Sequence, residues 1–310
     1  MKIAIIGSGA MGCLFGGILS KAADVCLYDV NQTLVDIINE NGLIMTEGEK
    51  REVVYPRATA NPKEIGIVDA AIFFTKFTFM ESAVRDALNC IGPDTFTVTL
   101  QNGIGAADVI LKHVPKEQVG YGLTAYTSDL KSLGHIELTT KESVDTYFWP
   151  VDGNMHKNAL LLEKTMNEAG FATHITKDVD EKIWKKLMVN CAENTMCAIL
   201  RLTVGQLVET PSSFELVKEI ISEISSVAAA KGINISPEAG LKYVMNVSRA
   251  VMHHVPSMAL DVQNMRKTEI AVLNEAVVKE AQKYGIKTPV LDTVAKMIRT
   301  IESNYSKFAF

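Results

Sequence analysis

Three polar residues recur at intervals of four in a segment whose other members are mostly apolar. Lys186, Asn190 and Asn194 form this series, and the spacing predicts a helix with all three side chains on one face. The apolar residues around them would normally be buried: Trp184, Leu187, Met188, Val189, Cys191 and Ala192. Because an unpaired buried amide costs about 1–3 kcal/mol, the polar side chains need partners. A ligand-binding cleft supplies partners; the alternative is hydrogen bonding to neighbouring helices, with a snorkelling lysine.

A lysine in such a cleft is suited to the reduction of a carbonyl group. Negative charge develops on a ketone oxygen during reduction, and a protonated ammonium stabilises and then neutralises it. Asparagine amides hold a substrate hydroxyl or carboxylate without changing their own charge. Farther along the chain, Glu269 would keep the ammonium of Lys186 charged and oriented if the two residues face each other. Otherwise Glu269 is a solvated acid.

Ser257 is a further candidate in the second half of the chain. The sequence that begins at Pro256 predicts a helix that reaches Thr268 and Glu269. A serine suits the N-cap position of such a helix. Alternatively, its hydroxyl faces a ligand.

A glycine-rich sequence near the N-terminus has the pattern of a dinucleotide-binding turn. The sequence Gly7-Ser8-Gly9-Ala10-Met11-Gly12 lies between two apolar runs, which predicts strand, tight turn and helix. In this pattern Gly7 permits the turn, Gly9 admits a pyrophosphate, and Gly12 lets helix and strand pack closely. The alternative is a glycine turn without a ligand. An acid at the end of the next predicted strand, Asp29, strengthens the prediction of a dinucleotide site.

Asp29 also bears on which dinucleotide is bound. A carboxylate at this position accepts both ribose hydroxyls of NAD and repels a 2′-phosphate. No arginine stands among its next neighbours, Val30, Asn31 and Gln32. The sequence therefore favours NADH, and a solvated acid at a strand end is the alternative.

Two polar segments follow predicted strands and are expected to face the ligand. In a doubly wound sheet, ligands lie beyond the carboxyl ends of the strands. Thr75-Lys76 and Gln101-Asn102-Gly103 stand at such ends. We therefore predict that Lys76 pairs with cofactor or substrate and that Asn102 contacts a ligand. The alternatives are a surface lysine and a simple Asn-Gly turn.

The remaining elements predict an α/β domain followed by a helical one. Strand-like and helical patterns alternate over the first half, which implies a doubly wound parallel sheet with helices on both faces. From about Asp178 onward long helical segments prevail, with Gly232 before Pro237 and Gly285 before Pro289 as stop and start signals. We predict a dinucleotide-binding domain over residues 1–176 and a helical substrate and catalytic domain over residues 177–310.

Composition narrows the class of protein further. The chain has 310 residues and a net charge of −5, which gives no basic surface for nucleic acid. Its five scattered cysteines predict reduced thiols in the cytoplasm. The six histidines are dispersed apart from one adjacent pair, so no metal site is expected. No apolar stretch approaches the about 18 residues that a membrane span needs.

Together these motifs resemble the ketopantoate reductase family (2-dehydropantoate 2-reductases) over nearly the whole chain. The resemblance rests on the glycine motif from Gly7 to Gly12, Thr75-Lys76, Gln101-Asn102-Gly103, the run from Trp184 to Asn194, Ser257-Met258-x-x-Asp261, and Thr268-Glu269. It implies a Rossmann-type domain followed by an all-helical domain. It also implies reduction of the C2 ketone of a 2-oxo acid by NADPH or NADH, with ketopantoate giving (R)-pantoate for pantothenate and coenzyme A.

The resemblance also assigns roles to single residues. It implies that Lys186 is the proton donor and that Asn102, Asn190, Asn194 and Ser257 contact substrate. Glu269 is similar to the family's acid near the catalytic lysine and the nicotinamide ribose.

Two departures leave alternatives open. His254 stands where the family often has asparagine, and Asp29 stands where many members have a basic residue for NADPH. Related members resemble NADH-dependent D-2-hydroxyacid dehydrogenases that act on bulkier 2-oxo acids. A remote alternative is a dinucleotide-sensing protein without catalysis. The oligomeric state stays open, with a homodimer as one alternative.

Overall fold

The computed structural model describes residues 1–140 and 144–307, and the chain divides into two units. The first unit comprises Met1–Gln101 and Ala106–Val179. The second comprises Asn102–Gly105 and Asp180–Phe310. A short segment that follows a strand of the first unit therefore belongs to the second.

The first unit contains twelve strands and five α-helices in its described residues. The strands are β1 (Lys2–Ile6), β2 (Asp24–Tyr28), β3 (Leu43–Glu47), β4 (Lys50–Val54), β5 (Arg57–Thr59), β6 (Ala70–Phe73), β7 (Phe96–Thr99), β8 (Val119–Thr124), β9 (Ser128–Ser132), β10 (His135–Leu138), β11 (Asp145–Pro150) and β12 (Ala172–Ile175). The helices are α1 (Ala10–Leu19), α2 (Gln32–Asn41), α3 (Met80–Ala87), α4 (Ala106–Ile110) and α5 (Lys157–Ala169).

Eight strands form the main sheet in the order β12-β11-β8-β7-β6-β1-β2-β5. Every neighbouring pair from β5 to β8 is parallel, which confirms the predicted doubly wound arrangement. Strand β11, however, runs antiparallel to β8. A parallel neighbour needs a crossover connection, usually a helix. The chain between β8 and β11 instead forms the two strands β9 and β10, so β11 returns in the opposite direction.

Helices cover both faces of the main sheet. Successive side chains of a strand point to opposite faces, so the neighbours of alternate residues show which helices lie on each face. Ile3 and Ile5 of β1 belong to one apolar cluster, with residues of α1, α2 and α5. Ala4 and Ile6 belong to another, with residues of α3 and α4. The strand buried on both faces explains the continuous apolar run that predicted it.

A second sheet in this unit was not predicted from the sequence. Its strand order is β4-β3-β10-β9, with β3 and β10 parallel and the other pairs antiparallel. Strand β4 begins with three exposed charged residues, and β9 is mostly exposed. Strands this polar lack the apolar pattern on which strand prediction depends.

The second unit is built from helices. They are α6 (Val179–Val189), α7 (Thr195–Leu200), α8 (Val204–Glu209), α9 (Pro211–Ala230), α10 (Pro237–Ala250), α11 (Ser257–Gln263), α12 (Asn274–Lys283) and α13 (Pro289–Ser303). Helix α9 is central and packs against α8, α10, α12 and α13. As predicted, Pro237 and Pro289 begin α10 and α13. Among the described residues no helix has the length and apolarity needed to cross a membrane.

Candidate active site

The glycine turn lies between β1 and α1, and two of its glycines are required by close packing. Gly7 has φ +93°, and a Cβ there would lie 2.6 Å from Oγ1 of Thr75. A Cβ on Gly12 would collide with the carbonyl oxygen of Gly7. Gly9 differs, because a Cβ there would meet no atom within 4 Å. Of these three glycines, Gly9 alone therefore has open space beside it, and it is the glycine at which the pattern predicts the approach of a pyrophosphate.

Helix α1 presents its N-terminus to the same open space. Gly9 is the N-cap residue, and no side chain described in the structure caps it. The first amides of such a helix point outward and carry partial positive charge, which makes them donors for an anion. The hydroxyl of Ser8 is directed elsewhere, since it donates to the carbonyl of Tyr28 across 3.3 Å. Open space and uncapped amides fit the pyrophosphate of a dinucleotide.

Asp29 links the end of β2 to the glycine turn. Its Oδ2 accepts from the backbone amide of Ser8 at 2.8 Å, and its Oδ1 accepts from the amide of Asn31 at 3.0 Å. Each carboxylate oxygen keeps a second lone pair, so the residue can still accept from a ribose hydroxyl. The bond to Ser8 gives Asp29 a structural role that the sequence did not reveal.

The other polar strand end of the first unit is organised by Thr75 and Gln101. Thr75 Oγ1 donates to the carbonyl of Ile6 at 3.0 Å, and the side-chain amide of Gln101 donates to the carbonyl of Thr75. These bonds tie together the ends of β1, β6 and β7. Lys76 is exposed, and its predicted contact with cofactor or substrate stays a prediction.

Asn102 is held in the second unit by a tight backbone contact. Gly103 has φ +81°, and a Cβ there would collide with the carbonyl of Val272. That carbonyl accepts from the amide of Ile104 at 3.0 Å. The turn directs Asn102 to Glu269, whose Oε2 accepts from Asn102 Nδ2 at 3.2 Å. The Asn-Gly turn is thus real, and it also positions a candidate site residue.

Lys186 is a half-buried residue of α6, and its surroundings shift the pKa of its ammonium group. Burial lowers the pKa of its ammonium to about 8, and the negative charge of Glu269 partly opposes this lowering of the pKa. An ammonium with this pKa is still mostly protonated at pH 7 and gives up its proton more readily than an ordinary lysine. The described part of the chain therefore brings together three predicted site residues: Lys186, Glu269 and Asn102.

The two asparagines after Lys186 lie on a π-helical turn, Asn190–Asn194, between α6 and α7. The prediction of one regular α-helix is therefore wrong at this segment. The asparagines nevertheless meet, since Asn194 Nδ2 donates to Asn190 Oδ1 at 3.2 Å. Asn190 is buried and Asn194 is half-buried. Single-turn π segments are frequent at functional sites.

The predictions for the segment after Pro256 need two corrections. Pro256 itself occupies the N-cap position of α11, and Ser257 is the exposed first helical residue without a capping bond. Helix α11 ends at Gln263 rather than reaching Glu269, because Met265 adopts a left-handed conformation with φ 54°. Ser257 as a substrate contact stays a prediction.

Glu269 is held outside any helix by its neighbour. The amide and the hydroxyl of Thr268 both donate to Oε1 of Glu302, at 2.7 and 2.8 Å. Glu302 is buried on α13, so this pair anchors the segment that carries Glu269. Sequence reasoning missed this anchor, because nothing local marks two residues 34 positions apart as partners.

These features are typical of one class of protein, the NAD(P)H-dependent oxidoreductases: a parallel sheet with an open glycine turn, and a helical unit that carries a lysine of lowered pKa. Within that class, the family description "Ketopantoate reductase PanE/ApbA" matches residues 3–150. The description "Ketopantoate reductase PanE/ApbA C terminal" matches residues 178–302. The chain belongs to the ketopantoate reductase family, which confirms the resemblance seen in the sequence.

Relatives and solved structures agree with this membership. The chain is 34% identical over 307 residues to 2-dehydropantoate 2-reductase of Streptococcus pyogenes serotype M3, with 98% of each chain covered. It is 30% identical to the enzyme of that name from Lactococcus lactis, with 97% and 98% covered. A D-mandelate dehydrogenase solved with NADH and anilino(oxo)acetate is 30% identical, with a TM-score of 0.92 and 99% of both chains covered. A ketopantoate reductase of the PanE/ApbA family from Ralstonia eutropha JMP134 is 25% identical, with a TM-score of 0.89 and 99% and 100% covered.

Proposed function

We propose that this enzyme reduces the C2 ketone of 2-dehydropantoate (ketopantoate) to (R)-pantoate, a precursor of pantothenate and coenzyme A. The observation that carries the proposal is the grouping of Lys186 with Glu269, whose carboxylate accepts from Asn102 at 3.2 Å and whose charge raises the pKa of the lysine. The family relatives, which carry the name of this reaction, support the substrate.

Each candidate residue has a distinct part in the proposed reaction. NAD(P)H, when bound, supplies the hydride that forms the new C–H bond at C2. As negative charge develops on the ketone oxygen, Lys186 donates a proton from Nζ to that oxygen and later regains one from water. Glu269 favours the charged form of the lysine before the transfer, and Asn102 orients the carboxylate of Glu269.

The remaining residues bind and orient. Asn190 and Asn194 would hold the hydroxyl or carboxylate of the substrate through their amides, with Ser257 as a further contact. The segment from Gly7 to Gly12 would hold the pyrophosphate at the N-terminus of α1. Asp29 would accept from the adenosine ribose, and Lys76 would pair with a phosphate or with the substrate carboxylate.

A second candidate is an NADH-dependent D-2-hydroxyacid dehydrogenase for bulkier 2-oxo acids. The structural similarity to D-mandelate dehydrogenase favours it, and so does the carboxylate of Asp29 in the position that suits NADH. His254, where the family often has asparagine, lies on the exposed segment before α11. A histidine in place of an asparagine that contacts substrate in the family would favour a different 2-oxo acid.

A spectrophotometric comparison distinguishes the two candidates. Initial rates with ketopantoate, 2-oxoisocaproate and phenylglyoxylate are measured with NADPH and with NADH. We expect the highest kcat/KM for ketopantoate, whereas a higher kcat/KM for phenylglyoxylate would establish the second candidate. Turnover of none of the three acids would contradict both.

The assignment of Lys186 is tested with a matched control on the same helix. Lys186→Ala should lose most of kcat while cofactor still binds, because the acid is gone and the glycine turn is unchanged. Lys185→Ala is the control, since Lys185 pairs with Glu181. Equal kcat values for the two variants would rule out Lys186 as the proton donor.

The finer statements on environment and partners also belong to this proposal. All five cysteines are buried free thiols, which supports a cytoplasmic location. A net charge of −5 argues against a nucleic-acid partner. Sedimentation of the purified enzyme would distinguish a homodimer from a monomer.

A further inference from the structure

The π-helical turn that carries Asn190 and Asn194 is bound from one side by a buried asparagine. A π turn replaces the regular hydrogen-bond ladder of a helix with wider i→i+5 bonds, and a side chain that donates to one of its carbonyls stabilises this irregular segment. Asn274, the first residue of α12, donates from Nδ2 to the carbonyl of Cys191 at 3.1 Å. Its Oδ1 accepts from the hydroxyl of Thr195 at 2.8 Å. Asn274 is fully buried, and both ends of its amide thus bind the turn or the residue after it.

A buried serine on a second helix binds a carboxylate that belongs to the same turn. Glu193 lies inside the turn, is 2% exposed, and is hydrogen-bonded to the hydroxyl of Ser248 on α10. Ser248 is itself fully buried, and its single hydroxyl proton is shared between Glu193 and the carbonyl of Val244, which lies 2.8 Å from Oγ. Burying a carboxyl group in an apolar interior costs free energy unless the group is hydrogen-bonded. The bond to Ser248 therefore stabilises the turn conformation that brings Glu193 to it.

The two sets of bonds hold the turn between α10 and α12. Four residues take part: Asn274, Thr195, Glu193 and Ser248. We call them the turn clamp. None of them continues the series at intervals of four that begins at Lys186. Between the two asparagines of that series, however, the clamp binds the backbone at Cys191 and the side chain at Glu193.

We propose that the turn clamp positions Asn190 and Asn194 for the 2-oxo acid, with Asn274 and Glu193 as positioning residues. The inference rests on the proposed function, in which these two asparagines contact the substrate. Asn194 Nδ2 donates to Asn190 Oδ1 at 3.2 Å, and the clamp binds the backbone and the side chain that lie between these two residues. Loosening the clamp separates two amides that must bind one small molecule together.

The test compares Thr195→Val with Thr195→Ser. Valine has the shape of threonine but lacks the hydroxyl, so Oδ1 of Asn274 loses its donor, whereas serine keeps the donor. We expect KM for the 2-oxo acid to rise about tenfold in Thr195→Val, the effect of one lost hydrogen bond. Thr195→Ser should stay within about twofold of the wild type. The Kd for NADPH, from a fluorescence titration, should not change in either variant.

Two further variants control for a general loss of stability. Thr300→Val removes an exposed hydroxyl that donates to the carbonyl of Lys296 on α13 and should leave KM unchanged. Ser248→Ala removes the other half of the clamp and should raise KM for the 2-oxo acid as Thr195→Val does. If Thr195→Val does not fold, KM is compared between Ser248→Ala and Glu193→Gln instead. Ser248→Ala loses the bond between the two residues and should raise KM, whereas glutamine at position 193 keeps an acceptor for Ser248.

The inference is overturned if Thr195→Val and Ser248→Ala raise KM no more than Thr300→Val does. Asn194→Ala separates this failure from failure of the proposed function. If Asn194→Ala also leaves KM and kcat for the 2-oxo acid unchanged, the substrate contact itself is wrong. If Asn194→Ala impairs catalysis while the clamp variants do not, only the inference about the clamp is wrong.

Discussion

Asn102 Nδ2 donates to Oε2 of Glu269 across 3.2 Å, although 167 residues separate the two in the chain. Glu269 in turn raises the pKa of Lys186 against the lowering that burial causes. We therefore expect Asn102 to act on the candidate proton donor through the carboxylate. This arrangement adds a second role to a residue that the sequence nominated only as a ligand contact.

Removal of the Asn102 amide should lower the rate of the chemical step. A hydrogen bond to a charged group contributes about 1.5–3 kcal/mol, so Asn102→Ala should reduce kcat about 10–100-fold. Asn102→Asp should reduce it further, because two carboxylates would then face each other. Asn304→Ala is the control, since its half-buried side chain donates to the carbonyl of Thr300 on α13, within the same helical segment. Wild-type kcat in Asn102→Ala would show that the bond to Glu269 does not matter for catalysis.

The pH dependence of ketone reduction should report the titration of Lys186. The reaction needs the protonated ammonium, so kcat/KM should be level below the pKa of about 8 and fall tenfold per pH unit above it. Glu269 raises this pKa, so Glu269→Gln should move the falling limb to lower pH. Profiles of kcat/KM from pH 6 to pH 10 check both statements. A limb that stays in place in Glu269→Gln would mean that another group controls it.

Asp29 should make the enzyme prefer NADH. At an effective dielectric constant of 20, two unit charges 4 Å apart interact by about 4 kcal/mol. One or two kcal/mol of repulsion against a 2′-phosphate shifts the preference by about 5–30-fold. Asp29→Asn keeps an acceptor for the Ser8 amide and removes the charge, so kcat/KM with NADPH should rise. Asp24→Asn, at the exposed start of the same strand, is the control. A strong NADPH preference in the wild type, unchanged in Asp29→Asn, would contradict this role.

Two alanine substitutions in the glycine turn should affect different properties, cofactor binding in one case and thermal stability in the other. Gly9→Ala places a methyl group in open space, so Tm should hardly change while the Kd for cofactor rises about tenfold or more. Gly12→Ala forces the methyl group against the carbonyl of Gly7, so Tm should fall by several degrees. Thermal melts and fluorescence titrations of both variants measure the two effects. Unchanged cofactor binding in Gly9→Ala would place the pyrophosphate elsewhere.

Much of the first unit was predictable because its signals are local. The apolar runs of β1, β2, β6 and β7 mark strands buried on both faces, and the glycine turn follows the first of them directly. The second sheet was missed, since its strands carry charged and exposed residues. The strand order and the antiparallel β11 depend on pairing between distant segments, for which the sequence holds no periodic signal.

The sequence by itself determined the residue types of the candidate site, the helix start signals at Pro237 and Pro289, and the order of an α/β unit before a helical one. Only the tertiary structure decided that Asn102 binds Glu269, that Asn190 and Asn194 lie on a π turn, and that Asn274 completes the bonding of that turn. The physical reason is the range of the interactions involved. Periodicity and capping act over a few residues, whereas the partner of a buried polar group is whichever donor or acceptor the packing of distant helices brings within about 3 Å.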